Sequence, residues 1–196
     1  MNDWQRDLSK SNAAFLSAVW PVIKGKCGGG TIKPVEILPD DISRDLDRLC
    51  GIDIWQTIDG EGCRGIASRV QFGSKNWRTF TVRKCRDSGA KTEFEKRKDA
   101  IESGGRMIYP YLTCHAYLTD SLVVLGGGLA LTKSVFDAIT DHTKIRRTDN
   151  ASFYAVDFDD VEGVWEFGAE DENHALDNNG RNVVEYSKCK DTEWTA

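Results

Sequence analysis

The 196-residue chain is 40% hydrophobic and carries a net charge of −5 at pH 7, a composition that excludes a disordered chain and predicts a folded domain with a core. Met1 to Lys10 is polar and charged, and the longest apolar run, Leu122 to Leu131, contains three glycines, so neither a signal peptide nor a membrane span is expected and the predicted location is cytoplasmic. The six cysteines include no CxxC pair, which disfavours a thiolate zinc site and a disulfide framework.

The charge is unevenly distributed along the chain. From Asp149 to the C-terminus there are 13 acidic and 3 basic residues, a net charge of −10, whereas the rest has 18 acidic and 23 basic residues, a net charge of +5. Eleven of those basic residues fall between Arg64 and Lys98, a stretch that also contains Trp77. This stretch predicts contact with a nucleic-acid backbone. The alternative is a solvated surface whose charge the acidic C-terminal segment balances.

The first 30 residues predict a helix followed by a connector. An apolar stripe at helical spacing consists of Phe15, Leu16, Val19 and Ile23. Pro21 is expected to end or kink this helix near Trp20. The glycine-rich residues 25–30 predict a flexible connector.

Among the acidic residues before the central strands, Glu36 and Asp45 are the two of functional interest. Thr31 to Leu38 predicts an extended segment that carries Glu36. Pro39-Asp40-Asp41 is a typical helix start. The helix that follows places Asp45 between apolar positions, where it could lean toward the sheet.

The stretch from Gly51 to Lys84 predicts three consecutive strands. In the first strand, isoleucines alternate with Asp53, so that this carboxylate lies on the face opposite the core. Asp59-Gly60-Glu61-Gly62 predicts a tight hairpin turn. A turn centred on Gly60 and Glu61 would place Ser68 or Arg69 opposite Asp53.

A third strand, Trp77 to Lys84, completes a predicted antiparallel meander. One side of this meander is apolar, and the other bears Asp53, Arg69, Gln71, Thr81 and Arg83. These polar residues are the predicted working site. The alternative is that Asp53 and Arg69 form an ordinary ion pair across the hairpin.

Thr92-x-x-Glu95 predicts a capping box that opens a helix through Ile101. Lys91, Glu93 and Glu95 lie close together and invite an active-site interpretation. The capping box accounts for Glu95 more simply, so a structural role is favoured for this cluster.

Two further features are expected to belong to the core. Met107 to Leu118 alternates as a strand, with His115 on an aromatic face, where a packed and hydrogen-bonded histidine is expected. Leu122 to Leu125 predicts a short strand. The glycines Gly126 to Gly128 that follow are explained by close backbone packing before a helix that begins near Thr132.

The C-terminal part predicts short strands at Phe153 to Phe158, Val161 to Phe167 and Val183 to Tyr186. The predicted fold class is therefore α+β, with a mixed sheet built on a central antiparallel meander and flanked by helices. Three parts are expected: residues 1–30 as helix and connector, residues 31–148 as an α/β core, and residues 149–196 as an acidic β-rich segment packed on that core.

The order of these elements resembles the core of the PD-(D/E)XK restriction-endonuclease-like superfamily. The resemblance covers roughly Glu36 to Leu118 and includes the strand motif GIDIW, which contains Asp53. In that superfamily a first-strand aspartate and a second-strand glutamate bind Mg²⁺, and a lysine two residues on orients the attacking water. The second strand departs from this pattern, because Ser68-Arg69-Val70-Gln71 has no glutamate followed by lysine.

The resemblance implies a Mg²⁺-dependent nuclease that cleaves a phosphodiester through a polarised phosphoryl group and an activated water. Asp53, Arg69 and Gln71 are the implied catalytic residues, and Asp53 with Glu36 or Asp45 would hold the metal. Contacts to the substrate phosphates are expected from Arg83, Lys84, Lys75 and Arg78.

Two other functions are kept open. The missing glutamate and lysine favour a non-catalytic module that binds nucleic acid or protein and keeps a nuclease-like fold. The acidic C-terminal segment favours an interaction or inhibitor protein, in which that segment engages a basic partner or covers the basic meander of the same chain.

Overall fold

The computed structural model describes residues 3–86, 89, 91–148 and 151–168. The strands are β1 (Thr31–Pro34), β2 (Ile54–Ile58), β3 (Gly62–Phe72), β4 (Thr79–Arg86), β5 (Leu112–Leu118), β6 (Val124–Leu131), β7 (Lys144–Thr148), β8 (Ala151–Asp157) and β9 (Trp165–Phe167). The α-helices are α1 (Asp3–Ala14), α2 (Trp20–Ile23), α3 (Asp40–Asp45), α4 (Glu93–Glu102) and α5 (Thr132–Asp137). Among the described residues, no helix has the length and apolar character needed to cross a bilayer.

The strands form two sheets. The six-stranded sheet has the order β1-β2-β3-β5-β6-β9 and is mixed, because β3 pairs with β5 in parallel and the other neighbours are antiparallel. The three-stranded sheet has the order β4-β8-β7 and is antiparallel. The predicted mixed α and β architecture is confirmed at this level. The predicted meander is wrong in its third strand, since β4 leaves β3 and joins the second sheet.

The β2–β3 hairpin is present, but its register differs by one residue from the predicted one. Ile54 pairs with Ile66 and Ile58 with Gly62, so three residues form the turn in place of a two-residue turn. This register brings the backbone N–H of Asp53 to the Ile66 carbonyl at 3.2 Å. Neither Ser68 nor Arg69 is therefore the direct cross-strand partner of Asp53.

The N-terminal helices cover one face of the six-stranded sheet. Phe15, Val19 and Ile23 are fully buried and pack in one cluster with sheet residues that include Ile54 and Leu112, which confirms the predicted stripe. The helix does not end at Trp20. A π-helical turn at Phe15–Val19 precedes α2, and the helix continues through Pro21 to Ile23 because a widened turn accommodates a residue that lacks an N–H.

The three-stranded sheet packs on the opposite face of the six-stranded sheet. Phe80 and Val156 from this sheet share a buried cluster with Tyr117 and Ala130 of the six-stranded sheet and with Val135 of α5. The molecule therefore has a helical layer, a large sheet, and a third layer made of the small sheet with α4 and α5. The functional residues described below lie where α4 meets both sheets.

The described part of the acidic segment contributes strands to both sheets. β8 is the central strand of the small sheet, and β9 pairs with β6 at the edge of the large one. The predicted strand Val161–Phe167 is shorter than expected and spans Trp165–Phe167. The predicted strand Val183–Tyr186 lies outside the described residues, and the division of the chain at residues 30 and 148 stays a prediction.

Two glycines of β6 allow close packing of the layers. A Cβ at Gly128 would lie 2.7 Å from the ring of Phe158, and a Cβ at Gly127 would meet the Phe167 ring and the His115 carbonyl oxygen. Phe158 is buried and packs on Phe80, with ring centroids 4.7 Å apart. Close packing, as predicted, accounts for these glycines, although they lie within a strand.

The substitution Gly128→Ala is expected to lower the free energy of unfolding by about 1–3 kcal/mol, because overpacking displaces a buried ring. Gly25→Ala is the matched control, since a Cβ there meets no atom within 4 Å. Urea unfolding of both variants measures the two changes. Equal stabilities of the two variants would contradict close packing at Gly128.

Candidate functional site

Helix α4 carries the two charged residues on which the site is built. The Thr92 hydroxyl accepts the Glu95 N–H, and the Glu95 carboxylate accepts the Thr92 N–H, so the predicted capping box is confirmed. The cap fixes the first turn of α4, where Glu93 lies. Arg97 is one turn further on the same side of the helix and binds Glu93 with Nη2 to Oε1 at 2.8 Å.

Glu93 is held by several donors from both sheets. Its Oε2 lies 3.5 Å from Nη2 of Arg69 on β3 and accepts the backbone N–H of Arg83 on β4 at 3.2 Å. Burial alone would raise the pKa of Glu93. The charges of Arg97 and Arg69, with the Arg83 N–H, outweigh burial and lower the pKa to about 2. The carboxylate of Glu93 is therefore ionised at neutral pH, and its contacts join α4, β3 and β4.

Arg97 extends this network to the loop before β2. The residue is 2% exposed, and its Nη2 donates to the Gly51 carbonyl at 2.8 Å. Gly51 has φ = 67°, a left-handed conformation that ends the preceding helical turn and favours glycine. The Arg97 guanidinium thus anchors the chain two residues before Asp53.

Asp53 lies at the same junction as Glu93, but its pKa is shifted in the opposite direction. Its carboxylate accepts the Ser68 backbone N–H at 2.8 Å. Burial raises the pKa of Asp53 to about 7; the charge of Arg97 opposes the rise, and the charge of Glu93 adds to it. Asp53 and Glu93 are thus two carboxyl groups in one environment whose pKa values are pushed apart.

His115 is the buried neighbour of this cluster. It is 1% exposed, stacks on Tyr117 with ring centroids 4.7 Å apart, and pairs across the strands with Arg69. Neither ring nitrogen has a hydrogen-bond partner among the described residues, so the expected packing is confirmed and the expected hydrogen bond is not. Burial, followed by the charge of Arg69, lowers the pKa of His115 to about 3, which keeps the ring neutral.

A small cavity lies between these groups. It is lined by Ser68, Arg69, Thr81, Glu93, Arg97 and His115, among others. Its volume is about 10 Å³, which is room for about one water molecule. A nucleotide does not fit in this space, so a ligand of that size would have to bind on the surface beside it.

The predicted pair of Asp53 and Arg69 is brought into one region but not into contact. Arg69 donates to the Thr81 hydroxyl at 2.8 Å and pairs with Glu93, whereas Asp53 accepts from Ser68. Within the described residues the alternative of an ion pair between Asp53 and Arg69 is therefore wrong. Gln71 lies two residues beyond Arg69 on β3, opposite Tyr117, and has no side-chain hydrogen bond to a described residue.

The two predicted metal partners of Asp53 are exposed. Glu36 lies in a 3₁₀ turn at Val35–Ile37, and Asp45 is the last residue of α3. In the part of the chain that the structure describes, no group of three or more histidine, cysteine or acidic residues is arranged to hold a metal ion. Binding of Mg²⁺ by Asp53 with Glu36 or Asp45 stays a prediction.

One face of the small sheet, with Arg69 of β3 and the residues just before β4, forms a row of cations and aromatic rings that we term the basic aromatic face. It consists of Arg69, Lys75, Trp77, Arg83, Arg146 and Phe153. The Phe153 ring has the guanidinium carbons of Arg69 and Arg83 at 5.1 and 5.4 Å from its centroid. Because Phe153 pairs with Arg83 on β4 and with Arg146 on β7, these three side chains share one face of the sheet.

Trp77 extends the basic aromatic face beyond the sheet. This residue is 44% exposed, and Lys75 and Arg146 lie over its ring at 4.4 and 5.0 Å from the centroid. Both distances are typical of cation–π contacts. The face therefore continues as a row of alternating cations and rings from Arg69 to Lys75.

The other two predicted phosphate-binding residues lie elsewhere. Lys84 stands over the ring of Tyr154 at 4.9 Å, and Tyr154 points to the opposite side of β8 from Phe153. Arg78 is held by Glu166 and by Asp159 at 2.7 and 2.9 Å. The hydrogen bonds that Arg78 donates to these carboxylates raise its pKa above the ordinary value, and the two negative charges offset its positive charge.

Sequence reasoning missed the residues that connect the site. The capping-box interpretation grouped Glu93 with Lys91 and Glu95 and did not connect it with Arg97. The i, i+4 spacing of Glu93 and Arg97 predicts an ion pair. Phe153 and Arg146 lie more than 60 residues further along the chain than Arg83, their neighbour on β4. The alternation of apolar and polar residues along β8 was the signal available for Phe153. Such alternation identifies a strand but does not identify the neighbouring strands with which it pairs.

Comparisons with protein-family models, with curated proteins and with solved structures find no match. Inference about function therefore rests on the geometry of the chain itself.

The substitution Arg97→Met is expected to lower the free energy of unfolding by about 3 kcal/mol, because it leaves the half-buried Glu93 carboxylate without its closest cation. Lys98→Met is the matched control. Lys98 is the next residue, is exposed and faces Glu102 at 3.8 Å, so a change below about 0.5 kcal/mol is expected. Urea unfolding at pH 7 compares the two, and a similar loss in both would contradict a structural role of the buried pair.

The raised pKa of Asp53 predicts a pH-dependent contribution to stability. Between its ordinary pKa of 3.8 and its folded value of about 7, Asp53 holds a proton in the folded chain that the unfolded chain releases. This contribution is complete below pH 4 and is lost as the pH rises through 7. The stability of the parent relative to Asp53→Asn, which stays neutral, is therefore expected to decrease from pH 5 to pH 8.

Urea unfolding of both proteins at each pH gives this difference directly. His115 has a lowered pKa and the opposite pH slope, but it is present in both proteins, so its effect cancels. A difference that stays constant or increases with pH would show that the Asp53 carboxyl is ionised in the folded chain.

Proposed function

We propose that the protein binds single-stranded nucleic acid through the basic aromatic face. The observation that carries the proposal is the cross-strand row of Arg83, Phe153 and Arg146, with Arg69 over the same ring and Trp77 beneath Arg146. Alternating cations and aromatic rings are what a single strand requires, because phosphates need positive charge and unpaired bases need a surface on which to stack. Lys75, Trp77 and Arg146 are the exposed members of the row.

The buried network supports this role by positioning two of the cations. Arg69 is held by Thr81 and Glu93, and the backbone of Arg83 is held by Glu93. Each guanidinium also lies within cation–π distance of Phe153. Side chains fixed in this way lose less conformational entropy when a ligand binds.

Cleavage at Asp53 is the competing proposal, which the resemblance to restriction-endonuclease-like proteins motivates. Asp53 lies close enough to Glu93 for the charge of Glu93 to raise the pKa of Asp53. In the part of the chain that the structure describes, Asp53 belongs to no group of three or more metal-ligating side chains, whereas the cations and rings of the basic aromatic face lie in contact with one another. Binding is therefore the function that the geometry supports better.

Replacing Arg146 by Gln tests the proposal, with Arg147→Gln as the matched control. Both arginines are exposed neighbours on β7, but successive residues of a strand point to opposite faces. For a 20-nucleotide single strand, Arg146→Gln is expected to weaken binding about threefold to tenfold and to reduce the salt-dependence slope by about 1. Arg147→Gln is expected to leave both nearly unchanged. Fluorescence anisotropy across a salt series measures affinity and slope.

Two results would overturn binding through this face. An equal loss in the two variants would show that overall charge alone attracts the oligonucleotide, and an absence of binding to any single strand would remove the function itself. Incubation with Mg²⁺, Mn²⁺ or EDTA extends the assay to cleavage. Cleavage by the parent that Asp53→Asn abolishes would replace the binding proposal with the nuclease proposal.

A further inference from the structure

We infer that Arg78 is a positioning residue of the basic aromatic face: it holds the left-handed backbone turn that presents Trp77 to a base of the bound strand. The inference rests on the proposed function for its ligand and deepens it, because it names the residue that places the exposed ring. It gives Arg78 a different role from the phosphate contact that the sequence predicted.

Residues 76–78 form a tight turn just before β4, with Trp77 at its centre. The side-chain oxygen of Asn76 accepts the backbone N–H of Arg78 at 3.0 Å, which is the hydrogen bond of an Asx turn. Arg78 has φ = 49°, a left-handed conformation that is unfavourable for a residue with a Cβ. Such a conformation persists only where the surrounding contacts fix it, and it is frequent at ligand sites.

The side chain and the carbonyl of Arg78 supply these contacts. The guanidinium donates to both oxygens of Glu166, at 2.9 Å from Nε and 2.7 Å from Nη2. It also donates to both oxygens of Asp159, at 3.2 Å from Nη1 and 2.9 Å from Nη2. Paired hydrogen bonds of this kind fix the geometry of an arginine as well as its charge. The Arg78 carbonyl accepts the Phe158 N–H at 2.9 Å, so β9 and the turn after β8 together hold the residue.

The same contacts occupy the groups that Arg78 would need for a phosphate. A guanidinium has five N–H donors, and four hydrogen bonds to Asp159 and Glu166 engage four of them. The cations over the Trp77 ring are instead Lys75 and Arg146, at 4.4 and 5.0 Å from its centre. Arg78 therefore acts on the ligand through the placement of Trp77, beside cations that contact the phosphates.

Two substitutions that remove the same charge separate positioning from direct contact. Arg78→Ala and Arg78→Gly both eliminate the guanidinium, but glycine adopts a positive φ readily and alanine does not. Arg78→Ala is expected to bind the 20-nucleotide single strand about threefold to tenfold more weakly than the parent, because the stacking ring is displaced. Arg78→Gly is expected to stay within about twofold of the parent, because the turn is kept. Fluorescence anisotropy measures the three affinities at one salt concentration.

A second measurement reports the position of the ring without nucleic acid. The chain has six tryptophans, and in fluorine NMR of protein labelled with fluorotryptophan the resonance that Trp77→Phe removes is that of Trp77. This resonance is expected to move in Arg78→Ala and to stay near the parent position in Arg78→Gly. The other tryptophan resonances are expected to stay in place, which shows that both variants are folded. A Trp77 resonance that does not move in Arg78→Ala would overturn the inference.

The outcomes keep the inference and the proposed function apart. If the parent binds and the two variants lose affinity equally, or neither loses any, the positioning role is overturned and the proposed function stands. If the parent binds no single strand, the proposed function fails and the role of Arg78 in binding fails with it. The Trp77 resonance still decides in that case whether Arg78 fixes the ring.

Discussion

The arrangement of the third layer depends on the ion pair between Glu93 and Arg97. Removing two charges from water costs several kcal/mol, and a buried pair is tolerated when further hydrogen bonds satisfy it. Here Glu93 also accepts a hydrogen bond from the Arg83 N–H and pairs with the Arg69 guanidinium. Arg97 donates a hydrogen bond to the Gly51 carbonyl. The partners come from α4, β3, β4 and the loop before β2, so the pair specifies how these four elements meet.

This junction explains why β4 leaves the hairpin that precedes it. A meander would place β4 beside β3, but that edge of β3 is taken by the parallel strand β5. β4 instead crosses to the small sheet and remains connected to β3 through polar contacts. Arg69 of β3 donates to Thr81 of β4, and the carboxylate of Glu93 on α4 joins Arg69 to the backbone N–H of Arg83 on β4. Thr79 makes a similar connection to Tyr117 of β5 at 2.9 Å. The two sheets are thus joined by a polar seam beside their apolar core.

Local features could be predicted from the sequence, whereas strand partners could not. The stripe from Phe15 to Ile23 and the capping box at Thr92 depend on residues within one helix, and both predictions were right. Alternation identifies the faces of a strand but says nothing of which strand lies beside it. The register error at Gly60 has a similar origin, because an Asp-Gly-Glu-Gly stretch permits turns of two or three residues. For the same reason, the sequence could not predict that β8 and β9 of the acidic segment are strands of the two sheets.

Several residues of the candidate site were predicted from the sequence, but the contacts between them were not. Asp53 and Arg69 were predicted to share a working site, with an ion pair between them as the alternative, but the guanidinium of Arg69 pairs with Glu93. Glu93, at the first turn of a helix and among arginines, is the carboxylate that stays ionised. Asp53 has the Ser68 N–H and only the more distant charge of Arg97, so burial prevails and its pKa rises. Two carboxyl groups at one junction therefore differ in pKa because one of them has the cations, and Arg69, held by Thr81 and Glu93, lies with its guanidinium 5.1 Å from the centre of the Phe153 ring.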